Sequence, residues 1–370
     1  MSSHYFSQSY REARERFLAR VEGHPALDRQ WSRSYGEAGG IALQTDAALL
    51  RGDPDAKLLL ISTSGLHGIE GFAGSAMQLG IIDEFTEKGG AYDLLLIHAV
   101  NPFGFHFKRR VNADHIDLNR NALLPGESRE NAGYAAIRHL ANPGRPLLRR
   151  GIRQRWIMAR LLLRAMVDRD SVRSAFLGGQ FDEPDGPFYG GRETADEVKT
   201  VGDWLLELAP RYETFGHLDL HTGYGERGRA HLLCHSEESR DAWSALGFDP
   251  EPAAGGADYH MTGNLIGYLE HRLEAAAPEL TYRAVLLEFG TMGMELRAQV
   301  ESMRLMIVDN SMGTMHEPEP DFVEMFNPSS PRWRHESVQE AISVHRRLCE
   351  SLAPDRAEPV VTGSVESDLS

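Results

Sequence analysis

An α/β fold, with a largely parallel sheet covered by helices on both faces, follows from three observations in the sequence. Apolar runs of strand length, such as Leu58-Leu59-Leu60-Ile61 and Leu94-Leu95-Leu96-Ile97, are continuous rather than alternating, which suits strands buried on both faces. They are separated by segments of helical periodicity, the pattern of strand–helix–strand units. The runs also end in chemically active residues, and ligands in such sheets sit outside the carboxyl ends of the strands. The expected architecture is three-layer α/β/α.

The elements follow in order. Residues 8–22 set Ala, Phe, Leu and Val at helical spacing among charges and predict an N-terminal helix. Residues 41–50 and 56–62 read as strands around the turn Gly52-Asp53-Pro54-Asp55. Residues 73–85 are helical and close at Lys88-Gly89-Gly90, and 92–100 form an apolar strand entering Asn101-Pro102. Residues 145–173 interleave Arg145, Arg149, Arg150, Arg153, Arg155, Arg160, Arg164, Arg169 and Arg173 with Leu, Ile, Trp and Val. This predicts an amphipathic helix whose arginines form a solvated face over apolar surface. A helix at 201–208, strands at 215–221 and 284–287, and a helix at 336–352 complete the pattern. Residues 353–370, rich in Pro, acid and Ser, are expected to be disordered. No linker divides the rest, so residues 1–352 are expected to form one catalytic domain.

Composition bounds the function. A charge of −15 over 370 residues argues against nucleic-acid binding, which wants a basic face. Cys234 and Cys349 make no disulfide framework. The start, Met1 to Phe6, lacks a basic region followed by an apolar one, so no secretory signal is expected. No apolar run approaches the roughly 20 residues of a membrane span. A cytoplasmic protein with neither nucleic acid nor membrane as partner is the expectation; the oligomeric state is left open.

The stretch Ser62-Thr63-Ser64-Gly65-Leu66-His67-Gly68-Ile69-Glu70 carries the chemistry. An imidazole and a carboxylate three apart, on a turn leaving a strand, can grip one Zn²⁺ from the same side. Catalytic zinc takes nitrogen or oxygen ligands and only three from protein. A third candidate is His221, which ends the strand-like run Phe215-Gly216-His217-Leu218-Asp219-Leu220-His221. A lone His-x-x-Glu is common, and most histidines are structural or solvated. The placement of His67, Asn101 and His221 at strand ends favours the site. Asp219, two before His221, either faces away along the strand or orients that histidine.

Asn101-Pro102-Phe103-Gly104 and Arg109-Arg110 precede Asp117-Leu118-Asn119-Arg120-Asn121. With His67-x-x-Glu70, Asp219-Leu220-His221-Thr222-Gly223 and Leu287-Glu288-Phe289-Gly290-Thr291, this ordered set resembles the zinc carboxypeptidase superfamily. That superfamily also holds aspartoacylase and succinylglutamate desuccinylase. Gly178-Gly179-Gln180, the segment Asp185 to Arg192 and Phe326-x-Pro with Trp333 resemble its bacterial metallopeptidase branch.

The resemblance implies a mixed, largely parallel carboxypeptidase-like sheet and one Zn²⁺ on His67, Glu70 and His221. It implies Glu288 as general base, Arg110 polarising the substrate carbonyl with Arg109 as competitor, and Asn119 and Arg120 on the substrate carboxylate. The tyrosine that closes over substrate has no clear counterpart; Tyr259 and Tyr268 lie in the right interval. Phe103 stands where digestive-type members carry Asp.

The leading expectation is a zinc hydrolase cleaving an amide next to a free carboxylate in a small peptide. The alternative is an N-acyl-amino-acid deacylase. The segments after Glu288 look helical, whereas such deacylases carry a C-terminal β-domain, which tilts the reading towards a peptidase. A binding module that kept the fold and lost turnover is the alternative of another class. A nucleic-acid-associated protein using the arginine-rich helix conflicts with the acidic balance.

Overall fold

The computed structural model describes residues 2–144, 146–147, 151–168, 172, 175–176, 178–252 and 262–353. Tyr259, Arg145, Arg149, Arg150, Arg169, Arg173 and the tail from residue 354 lie outside the described residues. One eight-stranded sheet organises the chain. Its strands are β1 (Leu27–Ala38), β2 (Ile41–Leu50), β3 (Leu58–Ser64), β4 (Tyr92–His98), β5 (Thr214–Gly223), β6 (Ala230–Cys234), β7 (Glu251–Pro252) and β8 (Thr281–Gly290). Across the sheet the order is β1-β2-β4-β3-β5-β8-β6-β7. The centre, β4-β3-β5-β8, is parallel. β2 and β6 flank it antiparallel, so the sheet is mixed.

The continuous apolar runs split by alternation into two cores, because successive strand side chains point to opposite faces. Leu58, Leu60, Leu94 and Leu96 pack with Phe17 of α1 (Tyr10–Glu22) and with Leu79, Ile82 and Phe85 of α2 (Gly71–Lys88). Leu59, Ile61, Leu95 and Ile97 face the other way. They meet Val198, Val201 and Leu205 on the helix Asp196–Leu208, and Leu269 and Leu273 on the helix Leu265–Ala276. Each such buried leucine contributes about 2 kcal/mol. The C-terminal helix Pro331–Leu352 joins α2 on the first face. The three-layer expectation is met.

Two parts of the sheet were not expected. β1 alternates weakly and carries Asp28, Arg29, Arg33 and Glu37 on a mostly exposed surface, as an edge strand can. It is held by a hairpin to β2 through Gly39 and Gly40, both at positive φ (57° and 79°), which glycine adopts without strain. β6, five residues broken by His231, and the two-residue β7 are too short to register as apolar runs.

The short helices α3 (Pro102–Phe107) and α4 (Ala132–Ala141) precede the amphipathic helix α5 (Ile152–Val167). On α5 only Gln154, Ile157 and Leu161 are buried. Ile152, Trp156, Leu163 and Val167 are exposed. The arginines therefore share the solvent side with apolar residues instead of owning it.

Candidate metal centre

β4 lies on one side of β3 and β5 on the other, so the chain departs in opposite directions at the carboxyl end of β3. That crevice is where open α/β sheets bind ligands. Gly65, at φ 66°, turns the chain out of β3 and His67 begins a short 3₁₀ turn, Gly68–Glu70, that leads into α2. A Cβ on Gly68 would lie 2.1 Å from the backbone carbon of Gly104, so only glycine fits there. Gly68 and Ile69 then donate their amide N–H groups to the carbonyls of Arg110 and Arg109, docking the two loops together.

His67, Glu70 and His221 are buried, and each offers a ligand atom within 4.8 Å of the others. Glu70 sits between the rings: Oε1 is 2.8 Å from His67 Nδ1 and Oε2 is 2.9 Å from His221 Nδ1. Thr222 donates its amide N–H to Glu70 Oε2 at 3.2 Å. The outer nitrogen of His221, Nε2, faces Asp219 Oδ2 at 2.8 Å. His67 Nε2 lies 3.3 Å from Asp117 Oδ1, without hydrogen-bond alignment. Both rings thus turn their Nδ1 atoms towards one point and back their Nε2 atoms with a carboxylate, the arrangement that orients metal-binding imidazoles.

Behind Asp219 a hydrogen-bonded chain runs into the core. Thr63 Oγ1 donates to Asp219 Oδ1 at 2.5 Å and lies 2.8 Å from His217 Nε2. A hydroxyl has one proton, so Thr63 accepts from Nε2–H. His217 Nδ1, 2.7 Å from the Tyr282 hydroxyl, then accepts in turn. Burial lowers His217 to about 4, which keeps it neutral for this role. His217, Asp219 and His221 are two apart along β5 and share one face. That periodicity was visible in the sequence; Asp219 does not face away.

Arg110 reaches the centre. Its Nε donates to Asp117 Oδ2 at 2.8 Å, its Nη1 is 3.7 Å from Glu70 Oε1, and its guanidinium lies 5.6 Å from the Phe188 ring centroid. Arg109 turns the other way. It is buried, donates to Asp309 Oδ1 at 2.8 Å and Thr314 O at 3.1 Å, and also bonds His316 O.

Glu288 on β8 pairs with His221 of β5 in the sheet register, so the two share a face. Its Oε2 accepts the Tyr224 N–H at 3.4 Å. It is half-buried and keeps part of its surface in solvent. Burial first, and the nearby Glu70 charge second, raise its carboxyl above the ordinary value. Glu70, Asp117 and Asp219 go the other way: burial alone would raise them, but the histidines around Glu70 and Asp219, and Arg110 beside Asp117, outweigh it.

Asn119 and Arg120 occupy the 3₁₀ turn Leu118–Arg120, capped by Asp117, which accepts the Asn119 N–H. Asn119 Oδ1 accepts from Leu265 N–H at the start of the helix that carries Tyr268. Arg120 is buried against Gly179 and donates to Asn119 O at 2.7 Å. Tyr268 stands under the Arg272 guanidinium, 5.6 Å from its ring centroid.

The donor set suits a divalent cation. Four carboxyls (Glu70, Asp117, Asp219 and Glu288) crowd two imidazoles and the Arg110 guanidinium, a negative excess that is costly when buried unless offset. Two nitrogens and one carboxylate are also the ligand types that zinc takes in catalytic sites.

No curated protein matches the sequence. Thrombin-activatable fibrinolysis inhibitor is similar in structure, with a TM-score of 0.50 at 12% identity over 95% of this chain and 76% of that one. Carboxypeptidase A from Helicoverpa armigera aligns at TM-score 0.48 and 14% identity, over 94% and 74% of the two chains. A metallo-carboxypeptidase from Pseudomonas aeruginosa aligns at 0.44 and 16%, over 94% and 70%. At 12% identity the likeness to thrombin-activatable fibrinolysis inhibitor speaks for the fold alone. A family model described as "Protein of unknown function (DUF2817)" matches residues 6–340, and the chain belongs to that family.

Proposed function

We propose that the protein is a zinc-dependent hydrolase that cleaves an amide bond next to a free carboxylate, acting as a carboxypeptidase on short peptides. The observation that carries the reading is the juxtaposition of His67, Glu70 and His221 with Glu288 on the adjoining strand. His67, Glu70 and His221 would hold the metal. Bound zinc supplies a Lewis acid and lowers the pKa of water towards ~7.

The chain's own groups then have separate tasks. Glu288 takes a proton from the attacking water and returns it to the departing amine. Its raised carboxyl suits that exchange, since a base works best when its pKa lies near the working pH. Arg110, anchored on Asp117 and Phe188, directs its remaining N–H groups at the charge growing on the carbonyl oxygen. Asn119 and Arg120 are assigned to the substrate carboxylate. That assignment requires Arg120 to swing from Asn119 O, because a guanidinium engages a carboxylate best with two parallel N–H groups.

The test is a panel of short peptides with free or amidated C-termini, beside N-acyl amino acids, incubated with the zinc-loaded protein. Release of a C-terminal amino acid from free-acid peptides alone supports the reading. Cleavage of amidated peptides at equal rate refutes it, and turnover confined to N-acyl amino acids replaces it with a deacylase.

A further inference from the structure

Helix α5 is apolar on two opposite sides. Its inner side packs Ile157 and Leu161 into the cluster formed by Tyr134, Ile137, Leu140 and Phe188, with Gln154 buried beside them. At about 100° per residue, the residues facing directly away are Ile152, Trp156, Ala159, Leu163, Met166 and Val167. Ile152 is 87% exposed, Trp156 53%, Leu163 58%, Met166 76% and Val167 83%. Apolar residues of this size are seldom left grouped in solvent, and such a patch marks an interaction surface. The arc spans about 100°, which is wider than the two-position seam of a coiled coil.

Charge narrows the occupant. The arc is bordered by Arg153, Arg160 and Arg164 on one side and Arg155 on the other, with no acidic residue in 152–167. Among the described residues none of the four forms an ion pair; Arg160 lies 5.2 Å from the Trp156 ring centroid and Arg153 donates to Pro143 O. A second copy of this helix would bring arginine against arginine, which is repulsive. The exposed arc holds a single hydrogen-bonding group, the Trp156 indole, whereas protein interfaces carry about one hydrogen bond per 100–200 Å².

We infer that α5 is a peripheral membrane-docking helix that lies in the plane of an anionic bilayer surface. Its apolar arc enters the headgroup boundary, Trp156 sits at the interface and the flanking arginines reach lipid phosphates. The absence of a spanning run argues only against insertion across the bilayer; a helix lying in the interface needs none. The chain is otherwise acidic, so the docking is confined to this face.

The test is co-sedimentation of the full-length protein with vesicles of phosphatidylcholine, with and without phosphatidylglycerol. Binding should require the anionic lipid and weaken with salt. Arg155→Gln, Arg160→Gln and Arg164→Gln together should weaken it roughly 100-fold, at about fivefold per arginine. Trp156→Glu with Leu163→Glu should abolish it. Unchanged thermal unfolding and metal content show that either variant folds. Failure of the wild type to bind, equal binding without the anionic lipid, or binding unchanged in both variants overturns the inference. So does self-association that the Trp156→Glu, Leu163→Glu variant abolishes in a protein that ignores vesicles.

Discussion

Arg109 and Arg110 are adjacent and pointed in opposite directions, so substituting each by Met separates fold from chemistry. Arg109 is buried and gives N–H groups to Asp309, Thr314 O and His316 O. Arg109→Met fills the aliphatic volume but takes the guanidinium from the Asp309 carboxylate, which is only 12% exposed and keeps the His316 ring, and unpairs two carbonyls. Breaking one partner of such a buried pair costs about 3–5 kcal/mol. Arg110→Met removes the bond to Asp117, which keeps the Asn119 N–H and the His67 contact, so a smaller loss of about 1–3 kcal/mol is expected. Urea unfolding at fixed metal concentration measures both losses. On a cleaved substrate, the folded Arg109 variant should keep its kcat within about twofold, while Arg110→Met should lose about 10²–10³ in kcat. A stable but inactive Arg109 variant beside an active Arg110 variant would refute the division of roles.

Glu288→Gln should fold, bind zinc like the wild type and lose about 10²–10⁴ in kcat; comparable activity would move the base elsewhere. Asp219→Asn should weaken zinc affinity about 10–100-fold, read by competition with a chromophoric chelator, because it loosens the His221 ring. His98 and His345 are fully buried and each is lowered by burial to about 4. The unfolded chain protonates these histidines near 6.5 and the folded one only near 4. Their contribution is therefore intact above pH 6.5 and is lost as pH falls towards 4, at about 1.4 kcal/mol per pH unit for each ring. His345→Leu should flatten the urea-midpoint profile over that window by about one proton; an unchanged slope would mean that His345 is already charged in the fold.

The central strands were legible because a strand buried on both faces must be apolar throughout, and Leu58 to Ile61 and Leu94 to Ile97 are. The metal candidates were legible because they follow such runs. β1 was not, since an edge strand with Arg29, Arg33 and Glu37 in solvent needs no apolar alternation. Nor was the direction of Arg109, which is set by Asp309, 200 residues away. Asp117 was read only as part of a motif; its contact with both His67 and Arg110 depends on the docking of two loops across Gly68. The two-sided character of α5 was hidden for another reason: periodicity reports an apolar stripe but not how much of it the fold covers.

The central claim is that His67, Glu70 and His221 form one metal site. Elemental analysis of the purified protein, alongside His67→Ala and His221→Ala, tests it directly. One zinc per wild-type chain and a stoichiometry near zero in both variants is the predicted result. Full zinc occupancy in both folded variants would place the metal elsewhere and contradict the account.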